Sequence, residues 1–221
     1  MKAFVSWSGG KESSLACWKV IKRGFEVKYL LNMVSEGGRY SHSHGISLPL
    51  LKKQAEAIKI PIVQVKTTWK SYEENFKKAV LRLKEEGIEA GVFGDIDLRE
   101  HRDWIERVCR ELKIKAILPL WGQEREKLLK EFIEVKFEAI VVAIDTNYLD
   151  KELLGERINE EFIQKLKERK NIDLCGEKGE YHTFVYGGPI FKKPLEFITG
   201  KRILRDKRCF LEVKPKICIR D

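Results

Sequence analysis

Hydrophobic and polar positions along this chain follow two alternating periods. Apolar runs at Ala3-Phe4-Val5, at Tyr29-Leu30-Leu31-Asn32-Met33-Val34 within 26–35, and over 60–66 and 115–120 read as buried strands, and 91–96 reads as a further strand and its exit. Between them apolar residues recur at helical spacing: Leu15, Ala16, Trp18, Val20 and Ile21 up to about residue 23, then 48–58, then 72–86 with Phe76, Ala79, Val80 and Leu83, then 102–112. Strands alternating with helices predict an α/β fold, a five-stranded parallel sheet with helices on both faces. Right-handed crossovers then put every loop that follows a strand on one edge, where ligands bind near the switch in strand order.

Beyond Trp121-Gly122 the pattern changes. A helix is expected over 124–136, an apolar strand over 137–145 and a charged helix over 153–169. From Leu195 the chain reads as β, with 195–198 and Ile203-Leu204 flanking Thr199-Gly200, followed by 209–213 and 216–219. The expected division is a nucleotide-binding domain over 1–122 and a smaller α+β substrate-binding domain over 123–221.

The junction of the first strand and first helix, Ser6-Trp7-Ser8-Gly9-Gly10-Lys11-Glu12-Ser13-Ser14, has the chemistry of a phosphate site. Adjacent glycines allow a sharp turn, backbone N–H groups converge at the helix start, and the helix dipole adds partial positive charge. Ser8, Ser13 and Ser14 add hydroxyls and Lys11 a full charge. Neither G-x-x-x-x-G-K-[ST] nor G-x-G-x-x-G fits, because the two glycines are neighbours. An ordinary strand-to-helix turn with a serine cap is the bland alternative. Gly94-Asp95-Ile96 would share this edge, and so would the 36–45 loop with His42 and His44. Glu100, His101 and Trp104 could line the same cleft, although Trp104 alone reads as core.

Composition narrows the choice. Of the 221 residues 43 are Lys or Arg and 34 Asp or Glu, a net charge of +9, but the cations are interspersed with carboxylates along helices. That pattern fits solvated, ion-paired faces better than a nucleic-acid surface, and the charge density with few Gln and Asn fits a thermophile. Cys17, Cys109, Cys175, Cys209 and Cys218 are widely spaced with no C-x-x-C, which argues against a zinc ribbon, an iron–sulfur site or a disulfide scaffold. No protein-held metal site is expected. Neither a signal peptide nor a long uncharged run is evident, so no membrane and a cytoplasmic location are expected.

A second dense cluster spans Cys175-Gly176-Glu177-Lys178-Gly179-Glu180-Tyr181-His182-Thr183-Phe184-Val185. Buried carboxylates and imidazole are costly unless paired, so the segment reads as a polar, glycine-bounded loop offering Glu177, Glu180 and His182 to a substrate or to ammonium. A surface loop with a solvated charge pair is the alternative.

Ser8-Gly9-Gly10-Lys11-Glu12-Ser13 resembles the pyrophosphate loop of the ATP pyrophosphatases, with Glu12 where that superfamily usually has Asp. Together with Gly94-Asp95-Ile96, Pro119-Leu120-Trp121-Gly122 and the 176–185 cluster, the chain from Ser8 to Phe191 closely resembles the diphthine-ammonia ligase family, in its archaeal type. The resemblance implies an adenine-nucleotide hydrolase-like fold and ATP-dependent amidation, by ammonium, of diphthine on translation elongation factor 2. The route would be an acyl-adenylate, releasing AMP and pyrophosphate. It implies nucleotide contacts from Ser6, Ser8, Gly9, Gly10, Lys11, Glu12, Ser13, Ser14, Met33, His44, Gly94, Asp95 and Ile96, with Mg2+ accompanying ATP and Asp95 or Glu12 as candidate ligands. Lys11 would stabilise phosphate charge, Glu180 or His182 would take a proton from ammonium, and Glu177 would position ammonium or substrate. The chain has no separate domain to house a glutaminase Cys and His, so free ammonium is the expected nitrogen source, and a homodimer is an expected assembly. Two further readings stay open: a tRNA-modifying enzyme of the same superfamily, and a non-catalytic adenine-nucleotide-binding protein.

Overall fold

A computed structural model describes residues 1–38, 40–41 and 45–216. Its first part runs β1 (Lys2–Ser6), α1 (Lys11–Lys22), β2 (Glu26–Ser35), α2 (Leu48–Ile58), β3 (Ile62–Thr67), α3 (Tyr72–Glu85), β4 (Ala90–Val92), α4 (Arg99–Glu111) and β5 (Lys115–Ile117). All five strands are parallel, in the order β3-β2-β1-β4-β5. Period-two alternation sends Val5 and Trp7 to one face, with Leu15 of α1 and Leu51 of α2. Phe4, Leu31 and Met33 go to the other face, with Phe76 of α3 and Val108 of α4. The helices therefore cover both faces, as the alternation of elements predicts. Strand order reverses between β1 and β4, so the crevice beyond their carboxyl ends is the topological place for a ligand.

The rest of the chain adds α5 (Arg125–Glu134), β6 (Glu138–Asp145), a single 3-10 turn (Lys151–Leu153), α6 (Glu160–Lys167), β7 (Tyr181–Gly187), β8 (Phe197–Arg205) and β9 (Arg208–Pro215). These four strands form an antiparallel sheet in the order β7-β6-β9-β8. Phe132, Ile140 and Phe184 from this part belong to the same apolar cluster as Val5, Leu15 and Leu51. One continuous core thus holds the second sheet against the α1/α2 side of the first.

Four expectations need correction. The helix expected over 153–169 begins only at Glu160: Gly155 has φ +91°, and the Asn159 side chain caps the helix by accepting from the Phe162 N–H at 2.9 Å. The segment 175–185 is not all loop, because Tyr181–Gly187 is strand β7, paired with β6. Thr199-Gly200 lies inside β8 at a bulge, and the chain reverses instead at Asp206-Lys207, where Asp206 takes φ +52°. The strand expected over 115–120 ends at Ile117, whereas β4 ends at Val92 with Phe93 to Ile96 as its exit, as expected. Cys17, Cys109, Cys175 and Cys209 are buried free thiols. His42, His44, Cys218 and most of the strand expected over 216–219 lie outside the described residues.

Candidate functional site

The turn after β1 is shaped by contacts on both sides. Gly9 has φ +83°, and a Cβ there would lie 2.5 Å from Leu51 Cδ2 and 2.8 Å from Gln54 Oε1, so only glycine fits. Gly10 is the N-cap of α1, its N–H donating to Ser8 Oγ at 3.3 Å. Ser13 Oγ donates to Gly10 O at 3.0 Å and lies 3.2 Å from Ser8 Oγ, so the serines tie the turn together.

The second cluster closes directly onto this turn. The Val185 N–H of β7 donates to Gly9 O at 3.0 Å, and the Lys11 N–H donates to Thr183 Oγ1 at 3.0 Å. The Lys11 side chain is buried, and its ammonium donates to Cys175 O at 2.6 Å, pairs with Glu12 Oε1 at 2.7 Å and lies 4.3 Å from the centre of the Tyr181 ring. Burial acts to lower the pKa of this ammonium, but the Glu12 carboxylate, Tyr181 and Cys175 outweigh burial and hold it well above its ordinary value. Lys11 is therefore a permanent cation that joins the two motifs into one site.

Within the second cluster the three candidates have different surroundings. Glu180 is fully buried, and its two carboxylate oxygens accept from the backbone N–H groups of Asp173 and Lys178, each at 3.0 Å. It fixes the 173–179 loop from inside. His182 has its pKa pushed down to about 3, by burial first and then by the charges of Lys11 and Arg208, so its imidazole is neutral. Glu177 is half-buried on the same loop, and its carboxyl is pushed up to about 8, by burial and then by the neighbouring Glu12 carboxylate, with Lys11 opposing. Glu177 thus changes protonation near neutral pH, whereas His182 does not.

The exit of β4 completes the edge. A Cβ on Gly94 would stand 2.9 Å from the Glu12 carbonyl carbon, and its absence lets this loop pass close by the start of α1. Asp95 follows, and its Oδ1 accepts from the His101 Nδ1–H at 3.0 Å, an interaction that raises the His101 pKa. Ile96 is buried and its carbonyl accepts from the Gly122 N–H at 2.7 Å. Ser6 is half-buried at the end of β1, Ser14 is fully buried on α1, and Met33 packs in the cluster beneath α3. His44 is outside the described residues.

Gln54 was not singled out by its sequence, yet it links all three layers. Fully buried on α2, it accepts from the Trp7 indole N–H at 3.0 Å and donates to Gly9 O at 2.9 Å and Val185 O at 2.5 Å. The available signal was its place on the apolar face of α2, between Leu51 and Ala55.

A parallel α/β sheet carrying a Ser-Gly-Gly-Lys turn at its strand-order switch, sealed by a strand of a second sheet, defines an α/β protein with a phosphate-type loop at the start of its first helix. The chain belongs to the diphthamide synthase family: residues 1–116 match the family's N-terminal domain and residues 124–219 its C-terminal domain. Relatives named diphthine–ammonia ligase include a rat protein, 25% identical over 93% of this chain and 86% of its own length, and a fission-yeast protein, 29% identical over 100% of this chain. The chain spans 40% of the fission-yeast protein. A crystal structure described as a predicted subunit of tRNA methyltransferase from Methanocaldococcus jannaschii matches at TM-score 0.47 and 20% identity, over 88% of this chain and 100% of that one.

Proposed function

We propose that this protein is an ATP-dependent amide ligase that converts diphthine on translation elongation factor 2 to diphthamide, with ammonium as the nitrogen source. The observation that carries the reading is the Lys11 bridge, which makes the Gly9–Ser14 turn and the 175–183 segment one site at the carboxyl edge of β1 and β4. Residues 1–122 hold the nucleotide and 123–221 supply the acceptor side.

The chemistry follows from the groups present. A carboxylate is a poor acyl donor because oxide is a poor leaving group. Its oxygen attacks the α-phosphorus of ATP, the bond to the β-phosphate breaks, and pyrophosphate leaves. The start of α1 and the fixed charge of Lys11 stabilise the phosphate charge. Glu177, ionised above about pH 8, takes a proton from ammonium. The freed ammonia attacks the acyl carbon, a C–N bond forms, the acyl–oxygen bond breaks, AMP departs, and the extra proton on the nitrogen passes to solvent. The proton role passes from Glu180 and His182 to Glu177, because Glu180 already bonds two N–H groups and His182 is too weak a base.

Glu12 and Asp95, paired here with Lys11 and His101, are the carboxylates that would reach a magnesium ion directly or through water. A magnesium ion would arrive on the phosphates of ATP, where it neutralises charge. No helix among the described residues is long and apolar enough to cross a membrane, which is compatible with work in the cytoplasm on a translation factor.

The test is mass spectrometry of diphthine-bearing elongation factor 2 incubated with the protein, ATP, magnesium and ammonium, with nucleotides followed in parallel. Exchange of hydroxyl for amino with matching AMP is expected. An unchanged factor in the presence of bound ATP would reject the reading.

A further inference from the structure

Beside the carboxylates of the site stands a row of aromatic rings that the mechanism above does not use. Trp69, in the loop after β3, is 75% exposed and stacks on Tyr72 at 6.0 Å and 25°. Tyr72 meets Trp104 at 5.9 Å, and Trp104 rests edge-on against buried Phe76 at 5.3 Å. The row is held rigidly. The Trp104 indole donates to Glu73 at 2.8 Å, and the Trp69 loop is laced by the Thr68 N–H to Ser71 Oγ bond at 3.1 Å and the Ser71 N–H to Thr68 Oγ1 bond at 3.2 Å. An exposed indole stacked on a second ring offers an aromatic face that a ligand can cover.

Position and charge say what that is. Trp69 follows β3, Tyr72 opens α3 and Trp104 lies in the second turn of α4, so the row starts at the carboxyl edge of the sheet, which Asp95 also borders. The Asp95 charge acts on both Tyr72 and Glu177, so the carboxylate lies within electrostatic reach of the aromatic row and of the reacting groups. Its Oδ1 is 3.0 Å from Nδ1 of the exposed His101 ring. Diphthine bears a trimethylammonium on the same carbon as the carboxylate to be amidated. That group is cationic at every pH and has no hydrogen to donate, so only aromatic faces and a nearby carboxylate complement it.

We propose that Trp69, Tyr72 and Trp104, flanked by Asp95, form the subsite for the quaternary ammonium of the acceptor. The proposal rests on the amidation reading above. To the acceptor side supplied by the second part of the chain it adds a contact for the trimethylammonium from the first part, beside the nucleotide.

The experiment titrates the full chain with glycine betaine and with 3,3-dimethylbutanoate, the carboxylate in which an uncharged tert-butyl group replaces the trimethylammonium, following tryptophan fluorescence. Betaine is expected to bind at least tenfold more tightly, and Trp69→Ala to abolish the signal while leaving the far-UV spectrum unchanged. In the amidation assay Trp69→Ala raises KM for the modified factor about tenfold and leaves KM for ATP alone. Equal binding of the two probes overturns the subsite. A rise in KM for ATP overturns it too, because Trp69 would then stack on adenine. Failure of the wild-type protein to amidate would reject the reaction, whereas the betaine comparison decides the subsite independently.

Discussion

The ammonium of Lys11 lies 2.6 Å from the main-chain carbonyl of Cys175, a residue 164 positions away in the chain. The lysine of a phosphate loop is thus also the strut between two sheets. Removing a buried charge leaves its partners, here Glu12 and the Cys175 carbonyl, unpaired, at a cost of roughly 3–5 kcal/mol. Lys11→Met should therefore lower stability by that order and lose ATP turnover together. Urea denaturation of the nucleotide-free protein measures the first; unchanged stability with lost turnover would assign Lys11 to phosphate alone.

Gln54 should behave as a structural joint. Gln54→Leu strands the Trp7 indole N–H and removes one of the two donors to Gly9 O and the side-chain donor to Val185 O, and a buried group left unpaired costs roughly 1–3 kcal/mol. A loss of about 3 kcal/mol is expected, with weaker ATP binding by calorimetry because the Gly9 turn loses its brace. Wild-type affinity in this variant would show that the turn holds its shape without α2.

Glu177 predicts a pH signature. Amide formation under saturating ammonium should rise as pH passes about 8, where the carboxyl ionises, and Glu177→Gln should remove that rise. Stability runs the opposite way. The native pKa is raised above the ordinary value of 4.5, so the native state binds more protons between about 4.5 and about 8. This contribution is fully present below pH 4.5 and is lost as pH climbs through 8. At pH 9 Glu177→Gln should melt higher than wild type, and a lower melting point would refute the assignment.

Glu180 separates positioning from proton transfer. Glu180→Gln keeps one acceptor but turns an NH2 toward a backbone N–H, loosening the 173–179 loop. Rates should fall at least tenfold with the pH profile keeping its shape, and hydrogen exchange at Asp173 and Lys178 should quicken. A displaced pH profile would return Glu180 to the proton chemistry.

The first sheet was legible because its signals are local: apolar periods of two and 3.6, and glycines where the chain must turn. β7 was hidden because Tyr181, His182 and Thr183 look solvated, and what lets Thr183 be buried is the Lys11 N–H, 172 positions distant. Thr199-Gly200 imitated a turn because glycine also serves a bulge. In the site, the residue types were readable but their roles were not. Glu177 and Glu180 are three apart on one polar segment, and only the fold shows that one carboxylate is enclosed by N–H groups while the other borders Glu12.

The bond from the Val185 N–H to Gly9 O has a consequence in time. During synthesis the loop leaves the ribosome first and the strand that clamps it comes much later, so the nascent first sheet forms with its ligand-binding turn unclamped. Contacts of such sequence separation close slowly. Nucleotide affinity should therefore appear late on the ribosome, when β7 has emerged, making ATP capture a report that the whole chain has been made.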